Sequence, residues 1–239
     1  MRQLFIISLL PVCLFSGAAL AQDCKDINFT LDSNDIGKLT LDVGAGSLGV
    51  IGSEDSDTRI QVRAQACADS RSQLEELDIL HERRGDAWVI RTDIPEQRFS
   101  IFSLLGGNYS ARIDIDVMVP AGILLEIEDR SGDINIRDFR GELRIEDGSG
   151  DMQISNVTGP VRIDDGSGDM ELRNIDGSVE IEDGSGDIEI DGVGGDVVIE
   201  DDGSGDIDVR DVRGDFIARD TGSGDVNFRD IDGRTEVRD

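Results

Sequence analysis

Two adjoining stretches, Asp151-Met152-Gln153-Ile154-Ser155-Asn156-Val157-Thr158-Gly159 and Pro160-Val161-Arg162-Ile163-Asp164-Asp165-Gly166-Ser167-Gly168, share one pattern. Each reads polar, apolar, polar, apolar, polar, and then a turn. Alternation of period two over about five residues predicts a half-buried strand rather than a helix. The next unit repeats it with Met170, Leu172, Ile175, Val179 and Ile181, and the one after with Ile188, Ile190, Val193, Val197 and Ile199. A small-residue turn closed by aspartate punctuates the units: Arg130-Ser131-Gly132-Asp133, Gly148-Ser149-Gly150-Asp151, Gly166-Ser167-Gly168-Asp169, Gly184-Ser185-Gly186-Asp187, Gly203-Ser204-Gly205-Asp206 and Gly222-Ser223-Gly224-Asp225. The closing aspartates lie 18, 18, 18, 19 and 19 residues apart. A fixed period of that length predicts a solenoid.

One coil cannot bury its own inward residues, but stacked coils form continuous apolar columns at a strand spacing of about 4.8 Å. Glycine supplies positive φ where the chain turns each corner. The two 19-residue units are expected to carry their extra residue beside the turn, at Asp201-Asp202 and Asp220-Thr221. The expected fold is all-β: a single-stranded parallel β-helix with coils of 18–19 residues, regular over residues 129–239.

Residues 22–128 are less regular but still strand-rich, with alternation in Lys38 to Val43, Thr58 to Gln65, Ala87 to Thr92 and Ala111 to Val119. Ser70 to Leu77 carries the one helical signal, and Gly44 to Val50 reads as a degenerate early coil. With no Pro/Ser-rich linker at the junction, this part is expected to open and cap the same solenoid.

Residues 1–21 read as a secretory signal peptide, with Arg2, an apolar run Leu4 to Phe15, and a small-residue cleavage site at Ala19-Leu20-Ala21. Cys13, behind Leu10-Pro11-Val12, fits a lipoprotein box poorly. Removal of the signal leaves Cys24 and Cys67, an even pair that in an exported chain is expected to form a disulfide. Zinc would need further Cys or His ligands. The mature chain is therefore expected to be exported through the secretory pathway, without a membrane span.

Charge narrows the partners. The formal net charge is −29, and −30 once Arg2 leaves with the signal. From Asp129 onward 32 acidic residues face 12 arginines, a net of −20 with no lysine. Such a surface repels nucleic acid and anionic lipid, keeps a strand-rich chain soluble and unassociated, and attracts divalent cations or basic partners.

The glycine-bounded strand repeats, the signal peptide, and Asp114-Ile115-Asp116-Val117-Met118-Val119-Pro120 leading into Ser-Gly-Asp turns resemble the bacterial putative-adhesin family of β-strand-repeat proteins. The resemblance spans residues 40–239. It implies a right-handed single-stranded β-helix exported to the cell envelope, in the periplasm or at the surface of a bacterium, and says little of activity.

The turns hold the candidate chemistry. Asp147-Gly148-Ser149-Gly150-Asp151 sets two carboxylates around a hydroxyl, and Asp165 with Asp169, Asp183 with Asp187 and Asp202 with Asp206 repeat the arrangement. Oxygen ligands at alternate positions suit Ca²⁺. The pattern departs from the calcium β-roll repeat G-G-x-G-x-D-x-U-x, because aspartate here follows glycine directly and only alternate halves carry Gly-Ser-Gly. The competing reading makes the aspartate after each glycine turn an Asx-turn former whose charge stays in solvent.

An enzyme is not expected. His81 is the single histidine and sits beside Glu82, Arg83 and Arg84 in an alternating strand, which leaves a Ser-His-Asp triad little to work with. A carbohydrate-cleaving β-helix would need carboxylates in unequal settings, whereas uniform coils give near-equal ones and short turns wall off no pocket. Phe99, Ile101, Phe102, Leu104 and Leu105, ahead of Gly106-Gly107, make a candidate partner loop or a cover over the core. Trp88 and Tyr109 read as core and rim fillers. On the final strand, Arg234, Glu236 and Arg238 guard an open end against stacking. The functional expectation is a monomeric, non-catalytic binding or scaffold protein with no cofactor, whose flat sheets meet an envelope protein or surface ligand. A calcium-dependent structural module is the first alternative.

Overall fold

The computed structural model describes residues 22–53, 58–95 and 111–238. The chain opens with β1 (Asp23–Asp32), β2 (Lys38–Ala45), β3 (Leu48–Gly52) and β4 (Arg59–Ala68). The helix α1 (Arg71–Glu76) follows, capped by Ser70, whose hydroxyl accepts the Gln73 amide. Then come β5 (Asp78–Arg84), β6 (Ala87–Asp93), β7 (Ala111–Val119), β8 (Leu124–Ser131) and β9 (Ile134–Arg137). The regular coils continue with β10 (Leu143–Asp147), β11 (Met152–Val157), β12 (Val161–Asp165), β13 (Met170–Ile175), β14 (Val179–Asp183) and β15 (Ile188–Val193). The last are β16 (Val197–Asp202), β17 (Ile207–Val212), β18 (Phe216–Ala218), β19 (Val226–Ile231) and β20 (Thr235–Val237).

Each coil contributes one strand to each of two ten-stranded sheets, so the repeats form a flattened parallel β-solenoid. One sheet runs β1-β4-β7-β3-β9-β11-β13-β15-β17-β19 and the other β20-β18-β16-β14-β12-β10-β8-β2-β6-β5. Register is strict: Leu143 lies over Val161 and Val161 over Val179, with Ile145, Ile163 and Ile181 beside them. Period-two alternation thus becomes three inner columns per sheet. In the first sheet Met152, Ile154 and Val157 stack on Met170, Leu172 and Ile175, all nearly sealed from solvent.

The opening region departs from a uniform parallel helix. β2 and β3 form a true coil, and it stacks directly on the β8–β9 coil, far along the chain. The intervening β4–β7 segment lies beyond it, where β1 pairs β4, β4 pairs β7 and β5 pairs β6 antiparallel. Alternation in the sequence picks out β4, β5, β6 and β7 but not their partners, and β1 is an addition to that reading. The helix and the strands expected at Lys38, Thr58, Ala87 and Ala111 are present.

A second departure concerns the longer coils. The extra residue of the first is Glu200, within β16: Ile181 faces Ile199, but Glu182 faces Asp201. The misfit is a bulge in the strand, not an enlarged turn at Asp201-Asp202. The following coil keeps the same spacing and sets Arg219 against Glu200 as an ion pair. Trp88 is half-buried, and its indole N–H donates to the Asp32 carbonyl at 2.8 Å. Residues 1–21, Tyr109 and the loop residues Phe99, Ile101, Phe102, Leu104 and Leu105 lie outside the described residues.

Candidate functional site

The Gly-Ser-Gly corners join each strand of the second sheet to the next strand of the first. The glycine before the closing aspartate holds positive φ from Gly132 to Gly205, for example +142° at Gly150 and +148° at Gly168, whereas in the last turn it is the first glycine, Gly222, that does so at +48°. A Cβ on Gly168 would run into the carbonyl oxygen of Gly150 one coil back. The corner therefore demands glycine twice over, by backbone conformation and by close approach. The backbone ladder continues through it, with Gly150 N–H donating to Ser167 O at 3.1 Å and Gly168 N–H to Ser185 O at 3.0 Å.

This geometry divides the eight aspartates proposed as ion ligands into two sets. Asp151, Asp169, Asp187 and Asp206 stand exposed after the glycines. Each accepts the amide of its counterpart in the next coil: Asp169 N–H reaches Asp151 Oδ1 at 3.2 Å, Asp187 N–H reaches Asp169 at 3.0 Å, and Asp206 N–H reaches Asp187 at 2.9 Å. Asp133 begins this ladder and Asp225 continues it. The aspartate after the glycine is thus a rung between coils, not the Asx-turn former of the competing reading.

Asp147, Asp165, Asp183 and Asp202 end their strands with inward parity, and Asp129 shares the position. All five are buried. Here the Asx-turn does form: Oδ1 of Asp129, Asp147, Asp165 and Asp183 accepts the amide two residues on, from Ser131, Ser149, Ser167 and Ser185, at 3.1–3.3 Å. Oδ2 of each is sealed and has no partner; in Asp202 neither oxygen makes a well-formed hydrogen bond, and the nearby Ser204 amide offsets its burial only in part. Burial, then the neighbouring Asp147 carboxylate, pushes Asp129 from 3.8 up to about 7. Burial, reinforced by Asp147 and Asp183, pushes Asp165 to about 7 as well. Burial likewise raises Asp183 and Asp202 to about 6, and Asp147 above its ordinary value.

The sequence contains the signal for this inner column. In Leu143-Arg144-Ile145-Glu146-Asp147 the apolar positions fall at every second residue, and the same parity sends Asp147 inward. Grouping Asp147 with Asp151 in one turn conceals this difference in parity. A further ladder, also unread in the sequence, lies at the other corner. There Asp138, Asn156, Asn174, Asp211 and Asp230 adopt left-handed conformations with φ of 55–57°. Asn156 Nδ2 donates to Asp138 at 2.9 Å and Asn174 Nδ2 to Asn156 at 3.2 Å.

The outer faces are flat and charged. On the second sheet Asp42, Glu128, Glu146, Asp164, Glu182 and Asp201 align in register as an acidic column. Beside it Arg162 pairs with Glu180 and, at 2.8 Å, with Glu182. On the first sheet Arg210 pairs with Glu189 at 2.7 Å and Asp191 at 2.9 Å. Among the described residues no three His, Cys, Asp or Glu side chains are grouped to hold a metal ion. His81 lies on β5, away from the aspartate corners, stacked on Phe29 with ring centroids 4.6 Å apart. Cys24 and Cys67, directly opposite in the β1–β4 ladder, form a disulfide. Among the described residues no helix is long and apolar enough to cross a membrane.

No family model matches the chain, and no curated protein does. Solved structures do. A putative adhesin from Bacteroides fragilis superposes with a TM-score of 0.52 at 15% identity, covering 90% of this chain and 97% of its own. This likeness shows a shared β-solenoid fold. A putative lipid binding protein from Parabacteroides distasonis gives 0.41 at 13% identity, covering 90% and 97%. A putative cell adhesion protein from Clostridium sporogenes gives 0.38 at 14%, covering 90% and 99%. Scores of that size bear no further weight.

Proposed function

We propose that the chain is a non-catalytic, exported binding or scaffold protein of the bacterial cell envelope, an adhesin-like solenoid of the putative-adhesin type. The observation that carries this reading is the pair of ladder-like outer faces, on which charged side chains repeat at each coil; even the hollow on the second sheet is lined by such a column, Glu126, Arg144, Arg162 and Glu180. A surface of that kind recognises an extended or repetitive partner rather than enclosing a small substrate. Support for export comes from the signal-like residues 1–21 and from the Cys24–Cys67 disulfide, a bond that persists in oxidising compartments.

The test is fractionation of bacteria expressing the full chain. Intact mass should show loss of residues 1–21 and an oxidised cysteine pair in the periplasmic or surface fraction. That material should then sediment with isolated envelopes, less so when Arg162 and Arg210 are reversed to Glu. Retention in the cytoplasm with the leader intact, or envelope binding indifferent to both faces, would overturn the proposal.

A calcium-rigidified module is the second reading, favoured by the outward acidic column beside the exposed rungs. A chelated sample whose melting temperature rises with millimolar Ca²⁺ but not with Mg²⁺ at matched ionic strength would support it. Equal effects of the two ions would remove it.

A further inference from the structure

The inner aspartate column buries ionisable groups with nothing to neutralise them. Consecutive coils place Val43, Asp129, Asp147, Asp165, Asp183 and Asp202 at one position. Thr221 continues it, buried, with Gly222 over Gly203. At both ends of the column the fold thus seats an uncharged side chain. One oxygen of each of Asp129, Asp147, Asp165 and Asp183 is held by a turn amide, while the other is enclosed and unpartnered.

The groups that face the column are acidic from every side. Each carboxyl sees its neighbours in the adjoining coils; Asp133, Asp169 and Asp187 lie across the corner, and Asp201 adjoins Asp202. Glu128, Glu146, Asp164 and Glu182 flank it outward on the same strands. Beyond them, Arg130 leans toward Asp42 at 3.9 Å. An enclosed carboxylate without a counter-charge is strongly disfavoured against its protonated form. Calcium would need about six to eight oxygens around it, and among the described residues no three such side chains are grouped to begin that shell. A proton needs none.

We propose that Asp129, Asp147, Asp165, Asp183 and Asp202 form a proton ladder: folding loads protons onto their sealed oxygens, and the solenoid keeps them at pH values where the unfolded chain would release them. Because adjacent members interact, the protons leave in coupled steps rather than at one shared value. Each departure strands a negative charge inside a turn corner, Arg130-Ser131-Gly132 at Asp129 and Gly-Ser-Gly at the others, which must then open to water. The ladder thereby makes the repeat corners responsive to pH, independently of what the outer faces bind.

Infrared spectroscopy of the full chain in deuterated buffer at pH 6 tests this. The expected result is a carbonyl stretch of protonated carboxylic acid, absent after urea unfolding and weakened stepwise in Asp165→Asn and Asp165→Asn/Asp183→Asn. Refolding at pH 5.5 should take up about three or more protons per chain. A double variant with Asp165→Thr and Asp183→Thr, using the residue the chain itself places at Thr221, should take up about two fewer. Absence of the acid band from the folded wild type at pH 6, or equal uptake by wild type and double variant, overturns the ladder. So does loss of the band on adding millimolar Ca²⁺ at constant pH, which would make the metal the occupant.

Discussion

The backbone amide of Asp169 donates to the carboxylate of Asp151, one coil back, at 3.2 Å. Successive coils are thereby joined twice at this corner, once by the glycine backbone, where Gly150 N–H donates to Ser167 O, and once by the rung. Removing the acceptor in Asp151→Ala should cost about 1 kcal/mol. Asp151→Asn keeps an acceptor and removes one like charge from the column, so it should be neutral or mildly stabilising. Urea unfolding of the two variants side by side checks the order. Equal destabilisation would mean that the charge, not the hydrogen bond, matters.

Glycine positions should separate into two kinds. Gly168 has φ of +148° and the Gly150 carbonyl in its path, whereas Gly85 has φ of +66° and open space around it. Gly168→Ala should cost at least about 3 kcal/mol or prevent folding, and Gly85→Ala about 1 kcal/mol. Thermal melts of both variants would reveal the difference.

Core and face should contrast in the same way. Ile181 is wholly buried in the column between Ile163 and Ile199, so Ile181→Ala should cost about 2–5 kcal/mol. Arg162 is about half exposed in its pairs with Glu180 and Glu182; Arg162→Ala should change stability by less than about 1 kcal/mol. Denaturant midpoints decide it.

The buried carboxyls give stability a definite sign with pH. Their folded values, about 7 for Asp129 and Asp165 and about 6 for Asp183 and Asp202, lie above the ordinary 3.8. The folded chain then holds more protons than the unfolded one between those values. This contribution is complete below pH 3.8 and is lost as pH rises through about 6–7. The melting temperature should fall from pH 5 to pH 8. Repulsion among surface carboxylates acts in the same direction, but it is screened beyond about 3 Å in molar salt. A fall that survives 1 M NaCl belongs to the enclosed groups, and a profile flattened by salt does not.

Reduction of Cys24–Cys67, a link across 43 residues, should remove about 3–4 kcal/mol in the chain-entropy picture. The effect should be local, since the bond joins β1 to β4 and touches no repeat. Hydrogen exchange after reduction is expected to rise in residues 23–32 and stay unchanged in residues 143–212.

Much of this architecture is legible in the sequence because the repeat is local. Met152, Met170 and Ile188 recur at one spacing, and stacking them is the one way to bury them all. Partner choice in the opening region was not legible. β1, β4 and β7 alternate like any strand, and nothing in Ile60 or Val62 says that they pair antiparallel. Nor does Leu48 announce that it rests on Ile134. The candidate site was half legible. Residue type located the aspartates, but parity decides their environment: Asp147 follows Leu143 and Ile145 inward, while Asp151 lies past the glycine and faces water. Counting by twos through the strand end would have separated them.

Glu200 carries a lesson about growth. Stacked coils copy one another's outline, as layers do in a crystal, and an added residue acts as a dislocation in that lattice. It cannot heal in the next layer without breaking register, so Arg219 reproduces it opposite Glu200 and the 19-residue outline persists into the following described coil. A single insertion in such a protein therefore rewrites the template for every coil laid down after it.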